Sequence, residues 1–268
     1  MKKIVVLVSG ASSGIGKSVA EYLHKKGFVV YGASRHIEPS YALPLTVKMD
    51  VTSGESVESA VSFILHKEGR IDAVVNAAGF GIAGAVEDTS VSEAKMQCET
   101  NFFGTLRLVK AVLPYMREQR SGYIINFSSI GGLVGLPFQA FYSASKFAIE
   151  GLSEALRFEV KPFNIKVSVI EPGDFKTNFT QNRKKTALAQ EDEAYKERFL
   201  RCLSVMEHDE QNGADPVVIA KTVYRILNTK NPRFRYMVGP FAEKLFIMLK
   251  KFLPASLSEL MFEKYYKL

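Results

Sequence analysis

The chain has 268 residues, of which 47% are hydrophobic and 24% are charged, a composition typical of a globular protein with a sizeable core. The 35 basic and 28 acidic residues give a net charge of +7, which suits an anionic, phosphate-bearing ligand. The one tight basic cluster, Arg183-Lys184-Lys185, is short and interpreted as a solvated loop, so we expect no nucleic-acid partner.

Short apolar runs alternate with amphipathic stretches along the chain. The predicted strands are Ile4–Val8, Phe28–Ala33, Leu45–Met49, Ile71–Asn76, Gly122–Ser128 and Ile165–Ile170. The predicted helices are Ile15–Lys26, Val57–Lys67, a helix from a Ser90/Glu93 capping box to Leu113, and Phe141–Val160. This alternation predicts an α/β fold: a single-domain, doubly wound Rossmann fold over residues 1–268, with a parallel sheet of about seven strands and helices on both faces.

A glycine-rich segment, Ser9-Gly10-Ala11-Ser12-Ser13-Gly14-Ile15-Gly16, joins the first strand to the first helix. Glycine is needed where the backbone takes a positive φ or approaches a ligand closely. The free N–H groups and partial positive charge at a helix start favour a pyrophosphate. The segment therefore predicts a dinucleotide site formed by Gly10, Ser12, Ser13, Gly14, Ile15 and Gly16.

An alternative interpretation treats Ala11–Ser18 as an approximate Walker A loop of a P-loop nucleotide-binding protein. Lys17 would then bind phosphates and Ser18 would hold magnesium. Such a site also needs an aspartate that closes an apolar strand. The nearest candidates, Asp50 and Asp72, do not follow an uninterrupted apolar run.

The end of the second predicted strand indicates which dinucleotide binds. An acidic residue about 20 positions past the glycine loop binds the ribose of NAD, whereas arginine suits the 2′-phosphate of NADP. This strand ends in Ser34 and Arg35 without an acid. Because the planar guanidinium of Arg35 can pair with a phosphate, we predict NADP as the cofactor.

Tyr142 and Lys146 lie four residues apart in a predicted helix, so their side chains share one face. A free tyrosine has a pKa of about 10, and a nearby ammonium lowers it. A tyrosine tuned in this way can exchange a proton with a carbonyl or alcohol oxygen during hydride transfer. We therefore predict that Tyr142 is the acid/base and that Lys146 lowers its pKa.

Together these motifs resemble the short-chain dehydrogenase/reductase family over nearly the whole chain. The resemblance implies further cofactor contacts after the third, fourth and last predicted strands. Those residues are Asp50 and Val51, the motif Asn76-Ala77-Ala78-Gly79, and Pro172, Gly173 and Thr177, together with Tyr142 and Lys146. The glycine loop begins Ser-Gly rather than the family's usual Thr-Gly, which keeps the hydroxyl.

The resemblance also implies the catalytic residues. Ser129, 13 residues before Tyr142, would polarise the substrate carbonyl, and Tyr142 would donate the proton. Lys146 would also bind the nicotinamide ribose, and Asn101 would hold a proton-relay water. The expected activity is the interconversion of a ketone or aldehyde and an alcohol, with no metal. A catalytically silent dinucleotide-binding sensor stays an alternative.

Segment 174–215 is predicted to form a substrate lid, and Tyr195, Phe199 and Met206 within it recur at helical spacing. Its apolar side chains either pack onto the domain or face the cleft. The predicted substrate-binding residues are Ser129, Tyr142, Phe80, Leu133 and Phe138.

Residues 240–268 are predicted to form a helical extension that carries Leu245, Leu249, Phe252 and Leu253 on one face, with Lys244 and Lys251 elsewhere. This tail resembles the group of 17β-hydroxysteroid dehydrogenases and retinol or acyl-dihydroxyacetone-phosphate reductases, which implies a hydrophobic substrate such as a steroid, retinoid or lipid. We expect the apolar face to pack against its own domain, with docking on a membrane surface as the alternative.

The resemblance further implies a homodimer formed through the helices at Ser92–Leu113 and Tyr142–Val160. The two cysteines, Cys98 and Cys202, lie far apart and outside any CxxC pattern. They predict reduced thiols and a cytoplasmic location.

Overall fold

A computed structural model describes residues 3–189, 191–250 and 252–268. Its strands are β1 (Val5–Ser9), β2 (Val29–Ser34), β3 (Thr46–Lys48), β4 (Ala73–Asn76), β5 (Ile82–Ala83), β6 (Gly122–Phe127), β7 (Ile165–Pro172), β8 (Lys184–Lys185) and β9 (Arg235–Val238). Its helices are α1 (Gly14–Lys25), α2 (Gly54–Glu68), α3 (Val91–Cys98), α4 (Gly104–Gln119), α5 (Ala140–Val160), α6 (Phe179–Asn182), α7 (Lys196–Gln211), α8 (Val217–Leu227), α9 (Phe241–Lys250) and α10 (Ala255–Tyr266).

The main sheet has seven strands in the order β3-β2-β1-β4-β6-β7-β9. Every pair of neighbours in it is parallel. The predicted α/β fold, a doubly wound parallel sheet of seven strands in one domain, is therefore confirmed. Because the strand order reverses between β1 and β4, a crevice opens at their carboxyl ends, where this class of sheet binds ligands.

Helices cover both faces of the sheet, which explains why its strands are nearly continuous apolar runs. Successive residues of β1 enter different cores. Val6 packs with Leu23 of α1 on one face, and Leu7 packs with Leu108 of α4 on the other. Burying each such side chain contributes about 1.5–3 kcal/mol, so the two cores fix the strand ends that carry the site.

The predicted capping box is present at the start of α3. The Ser90 hydroxyl accepts a hydrogen bond from the Glu93 N–H at 3.2 Å, and the Glu93 carboxylate accepts one from the Ser90 N–H at 2.9 Å. The helix does not stop at Leu113 as predicted but continues through Pro114 to Gln119. Proline removes one helical hydrogen bond, and burial of Met116 in the core offsets that loss.

The interpretation of Arg183-Lys184-Lys185 as a solvated loop is wrong. Arg183 is 8% exposed and forms an ion pair with Glu210 of α7. Lys184 and Lys185 form β8, which pairs with β5. The sequence carried no local sign of this arrangement, because the acidic partner lies 27 residues away.

The expected packing of the C-terminal apolar face against its own domain is also wrong. Leu245, Leu249 and Phe252 are exposed, whereas Ile247 on another face of α9 is buried. Lys251, which was predicted to lie elsewhere on this helix, is outside the described residues. No helix within the described ranges has the length and apolar character needed to cross a membrane.

Candidate active site

A cleft of about 1040 Å³ opens at the carboxyl edge of the sheet. It runs from the end of β2, past the glycine loop and the end of β6, to the segment after β7. Every predicted cofactor residue except Asn76 lines it: Gly10, Ser12, Ser13, Gly14, Ile15, Gly16, Ser34, Arg35, Asp50, Val51, Ala77, Ala78, Gly79, Tyr142, Lys146, Pro172, Gly173 and Thr177.

The glycine loop is locked to the turn after β4. Gly10 has φ +69°, and a Cβ there would lie 2.8 Å from the Ala78 Cα. The Ser9 hydroxyl accepts hydrogen bonds from the N–H groups of Ala77 at 3.1 Å and Ala78 at 3.2 Å. The hydroxyl that Ser9 shares with the family's threonine therefore joins the two loops that form one wall of the cleft.

The start of α1 suits an anionic group. Ser13 is its N-cap residue but makes no side-chain capping bond, and the first turn has no acidic residue. N–H groups left free in this way, together with the helix dipole, fit a dinucleotide pyrophosphate. Lys17 is exposed and pairs with Glu21 at 3.9 Å, and Asp72 accepts a bond from the Val5 N–H at the opposite end of β1. Neither side chain supports the Walker A interpretation.

An arginine side chain, Arg35, lies at the far end of the cleft. Arg35 is exposed, and within the described part of the chain its guanidinium makes no hydrogen bond or ion pair. Asp50 lies nearby: burial raises its pKa, but hydrogen bonds from Thr52 and the charges of Arg35 and Arg107 lower it overall. A guanidinium at the tip of β2 fits a ribose phosphate.

Asn76 does not line the cleft, so its predicted cofactor contact is wrong. It is 3% exposed, and its amide donates to the Asn126 carboxamide oxygen at 2.7 Å. Asn126 in turn donates to the Ser153 hydroxyl at 2.8 Å. Asn76 thus ties β4 to β6 and, through Asn126, to α5.

Ser129, Tyr142 and Lys146 come together where β6 ends beside α5. Tyr142 and Lys146 are each 8% exposed and line the cleft with Ser129. The Ser129 hydroxyl accepts from the Gly131 N–H at 3.1 Å. The Lys146 ammonium donates to the Phe127 carbonyl at 2.8 Å and lies 5.7 Å from the centre of the Tyr142 ring.

The expected lowering of the Tyr142 pKa is not what the structure shows. Burial raises the pKa of Tyr142 to about 12; the Ser129 hydroxyl lowers it, and the charges of Glu210 and Asp174 raise it further. Burial also lowers the pKa of Lys146 to about 8. Desolvation thus outweighs the Ser129 hydrogen bond and the charge of Arg183, which both lower the Tyr142 pKa, and Tyr142 is protonated at neutral pH.

Asn101 lies in a π-helical turn, Glu99–Phe103, that joins α3 to α4. Its side-chain oxygen accepts from the Phe80 N–H at 3.1 Å, and its amide donates to the Phe80 carbonyl at 3.0 Å and the Ser145 hydroxyl at 3.1 Å. A π turn displaces one residue from the regular helix and is frequent at functional sites. Asn101 does not line the cleft itself, and its relay role stays a prediction.

Two of the predicted substrate residues lie elsewhere. Phe80 lines the cleft, but Leu133 and Phe138 do not. Leu133 follows the 3-10 turn after Ser129, and Phe138 has φ +54° and packs on Phe199 with ring centres 5.5 Å apart. The sequence could not show the direction in which this loop turns its side chains.

Several residues that line the substrate end were not among the predicted substrate-binding residues, although those between 174 and 215 fall in the predicted lid. They are Leu136, Gln139, Phe179, Asp174, Met206, Asp209, Glu210 and Tyr266. Met206 belongs to the helical pattern noted in segment 174–215, so part of that helix does face the cleft while Phe199 and Leu203 pack inside. Tyr266 comes from α10, and no sequence signal linked the tail to the site.

The C-terminal extension also contributes a carboxylate. Glu243 of α9 accepts a hydrogen bond from the Asp174 N–H at 3.2 Å, and a Cβ at Gly173 would clash with it. Burial raises the pKa of Asp174, as do the charges of Glu243, Glu210 and Asp209. Burial likewise raises the pKa of Glu243. Several acids therefore crowd one corner of the cleft beside Tyr142.

With this geometry in place, comparisons with known proteins agree on its class. The sequence profile of the short chain dehydrogenase family matches residues 4–188. A 3-ketodihydrosphingosine reductase from Bacteroides thetaiotaomicron is 47% identical over 259 residues, covering 97% of this chain and 96% of that protein. A short-chain dehydrogenase structure from Streptomyces avermitilis superposes with a TM-score of 0.83 at 33% identity, covering 98% of this chain and 97% of that one.

Solved structures of the same fold contain either form of the cofactor. A short-chain dehydrogenase/reductase from Burkholderia phymatum, in complex with NAD, has a TM-score of 0.80 at 21% identity over 93% of each chain, and other structures of this fold contain NADP. A likeness at 21% identity shows the fold alone. From the profile match and the 47% identical relative, this chain belongs to the short chain dehydrogenase family of oxidoreductases.

Proposed function

We propose that this protein is an NADPH-dependent reductase that converts a hydrophobic ketone to an alcohol. The observation that carries the proposal is the placement of Ser129, Tyr142 and Lys146 in one cleft with the uncapped start of α1. That cleft joins a phosphate-binding helix terminus to a buried proton donor. Both are needed where hydride and proton reach the same carbonyl group.

The residues divide the chemistry among themselves. When bound, the nicotinamide cofactor supplies the hydride to the carbonyl carbon. The Ser129 hydroxyl, held by the Gly131 N–H, is oriented to donate a hydrogen bond to the carbonyl oxygen. Tyr142 gives its phenolic proton to that oxygen, so the product is a neutral alcohol and Tyr142 is left as a phenolate. The Lys146 ammonium, 5.7 Å from the ring centre, stabilises this phenolate.

The charge state of the site supports reduction rather than oxidation. A Tyr142 pKa of about 12 keeps the phenol protonated at pH 7, which is the form that donates a proton. Oxidation of an alcohol would need the phenolate as a base, and burial of Tyr142 opposes its formation. The direction we propose therefore follows chiefly from the burial of Tyr142, which is the largest cause of its raised pKa.

The preference for NADPH rests on Arg35. Its guanidinium lies at the end of β2 and makes no hydrogen bond or ion pair with the described residues, and no acid directly follows that strand to bind a free 2′-hydroxyl. The proposal of a hydrophobic substrate rests on the apolar side chains that line the same cleft as Tyr142. They are Phe80, Leu136, Phe179, Met206 and Tyr266. The Bacteroides relative, a 3-ketodihydrosphingosine reductase, supports a lipid-like substrate.

We also propose a homodimer formed through α4 and α5. Large apolar side chains on these helices are exposed, and a second copy would cover them. They are Tyr115 on α4, and Phe147 and Phe158 on α5. The proposal uses the same helices that the family resemblance implied.

The C-terminal extension is proposed to lie on an anionic membrane surface. Most of its large apolar side chains are exposed: Phe241, Leu245, Met248, Leu249, Phe252, Leu257, Leu260, Met261 and Tyr265. Lys244, Lys250 and Lys264 lie among them and complement anionic headgroups. The two cysteines are free, as expected for a cytoplasmic protein, and that location stays a prediction.

Replacing Tyr142 by phenylalanine removes the proton donor but keeps the ring that packs 5.6 Å from Phe179. We expect kcat for ketone reduction to fall by about 10²–10⁴-fold, with NADPH binding by fluorescence nearly unchanged. The matched control is Tyr41→Phe, because Tyr41 is fully exposed. Full turnover by Tyr142→Phe would rule out the mechanism. A wild-type protein that reduces no ketone in a broad panel would instead favour the dinucleotide-binding sensor.

Replacing Arg35 by alanine tests the cofactor preference. We expect the wild-type kcat/KM to favour NADPH, and Arg35→Ala to lower the value for NADPH by roughly tenfold or more while that for NADH changes little. Adding Ser34→Asp should shift the preference towards NADH. Arg225→Ala, at an exposed position on α8, is the control. A wild-type preference for NADH would contradict the assignment.

Light scattering tests the dimer. The expected mass is near twice the 29.8 kDa of one chain. Phe158→Asp places a charge on an α5 side chain that is 70% exposed and should shift the mass towards one chain. Phe63→Asp, on α2, should leave the mass unchanged. A wild-type mass of one chain, or equal effects of the two changes, would show that these helices are not the interface.

Sedimentation with vesicles tests the membrane surface. We expect the protein to sediment with phosphatidylglycerol vesicles and much less with phosphatidylcholine vesicles, because the lysines need an anionic partner. Phe252→Asp and Leu249→Asp should weaken binding, and Leu200→Asp, exposed on α7, should not. Absence of wild-type binding, or an equal loss with Leu200→Asp, would show that the extension does not dock on lipid.

A further inference from the structure

The short helix α6 brings an aromatic ring against the proposed proton donor. The Phe179 ring lies 5.6 Å from the Tyr142 ring, centre to centre, with 59° between the ring planes. A Cβ at Gly131 would lie 3.2 Å from the Tyr142 Cε1, so the turn after β6 also lies close to this ring. A Cβ at Gly81 would lie 3.0 Å from the Phe179 Cζ, which shows how closely Phe179 meets the residue before β5. The Tyr142 ring is therefore packed by a turn of the main sheet and by one residue of α6.

A buried arginine packs against the same phenylalanine. The Arg183 guanidinium carbon lies 5.5 Å from the centre of the Phe179 ring, which is within the range of a cation–π contact. The Arg183 side chain is 1% exposed and forms an ion pair with the Glu210 carboxylate of α7. The Thr180 hydroxyl donates a hydrogen bond to the same carboxylate at 2.5 Å. The α6 segment is thus joined to α7 at two points, through one carboxylate.

Stability alone does not account for this ion pair. Burying two charges costs free energy that their attraction does not always repay, and apolar residues of similar volume often replace such a pair without loss. The Arg183 Nε and Nη1 atoms, moreover, make no hydrogen bond with the described residues. The arrangement is better explained by what it holds in place, which is the Phe179 ring next to Tyr142.

Proton transfer makes strict demands on the orientation of Tyr142. Its phenolic oxygen must lie within about 2.6–3.2 Å of the oxygen that it protonates. A misplacement of about 1 Å can lower a rate by about 10²-fold. A contact between two aromatic rings has preferred geometries, so it restrains the orientation of a ring as well as its position. Phe179 is placed to supply this restraint.

We propose that Phe179, held by the Arg183–Glu210 ion pair, is a positioning residue that orients the Tyr142 ring for proton donation. The inference rests on the proposed ketone reduction, and it gives a role in the chemistry to a segment that was expected only to shape the substrate site. The ion pair acts on Tyr142 through the Phe179 ring. Its two charges also act on Tyr142 in opposite directions, because Arg183 lowers the pKa of Tyr142 and Glu210 raises it. Removing both charges together therefore leaves the packing effect as the main change.

The first test removes the ring. Phe179→Ala, and Phe179→Leu as a milder change, are assayed with NADPH and a ketone that the wild-type protein reduces, in H2O and in D2O. We expect Phe179→Ala to lower kcat by about 10- to 100-fold and to raise the solvent isotope effect on kcat, because transfer of the Tyr142 proton becomes slower. Phe179→Leu keeps apolar bulk and should lose less. Phe63→Ala is the matched control, because the exposed Phe63 of α2 packs on another tyrosine, Tyr31, with ring centres 6.4 Å apart.

The second test removes the ion pair as a unit. Arg183→Met and Glu210→Gln are combined, because either change alone would leave an unpaired buried charge. We expect the combined variant to lower kcat by roughly tenfold and to raise the solvent isotope effect, with NADPH binding by fluorescence nearly unchanged. Added to Phe179→Ala, the same two changes should lower kcat little further, because the ring through which they act is already absent. Lys196→Met with Glu193→Gln removes an exposed ion pair near the start of α7 and is the matched control.

The outcomes separate this inference from the proposed function. A raised KM with an unchanged kcat in Phe179→Ala would show that Phe179 is only a substrate contact, and a lowered kcat with an unchanged solvent isotope effect would also overturn the positioning role. Losses that multiply when the two sets of changes are combined would overturn the link between the ion pair and the ring. A wild-type protein that reduces no ketone would instead remove the proposed function, and this inference with it. Thermal unfolding checks that each variant folds, and Phe179→Leu provides the same comparisons should Phe179→Ala not fold.

Discussion

The active site depends on the close packing of two loops, where Gly10 after β1 meets Ala78 after β4. A Cβ at Gly10 would lie 2.8 Å from the Ala78 Cα, and the Ser9 hydroxyl binds both N–H groups of the facing turn. Because all strands of the sheet are parallel, their carboxyl ends share one edge. Joining these two loops therefore sets the distance between the helix terminus that suits a pyrophosphate and the residues after β6 that do proton chemistry.

Burial then determines the protonation of the site. The pKa values of Tyr142 and Lys146 move in opposite directions, to about 12 and about 8, because desolvation disfavours the charged form of each group. Both shifts favour the neutral form of the side chain. At pH 7 the Tyr142 phenol nevertheless keeps its proton, and Lys146 is still mostly charged. A protonated donor next to a cation that can stabilise its conjugate base is the arrangement that carbonyl reduction needs.

The sequence was informative where the signal is local. The glycine loop, the Ser90 capping box and the spacing of Tyr142 and Lys146 depend on residues within one or two turns, and the structure has all three. Contacts between distant segments could not be predicted. Glu243 contacts Asp174, which lies 69 residues earlier in the chain. Arg183 pairs with Glu210, which lies 27 residues later. The sign of the Tyr142 pKa shift failed for the same reason, since burial depends on the whole fold.

The C-terminal extension contributes both to the cleft and to the exposed apolar surface. Its inner side provides Glu243 beside the acid corner and Tyr266 within the cleft, while its outer side exposes Leu249 and Phe252. One short segment thus forms part of the substrate site and carries a large share of the exposed apolar side chains of the described residues. Such an arrangement suits the hydrophobic substrate that we propose, because the surface that would contact lipid lies on the same helices that contribute to the cleft.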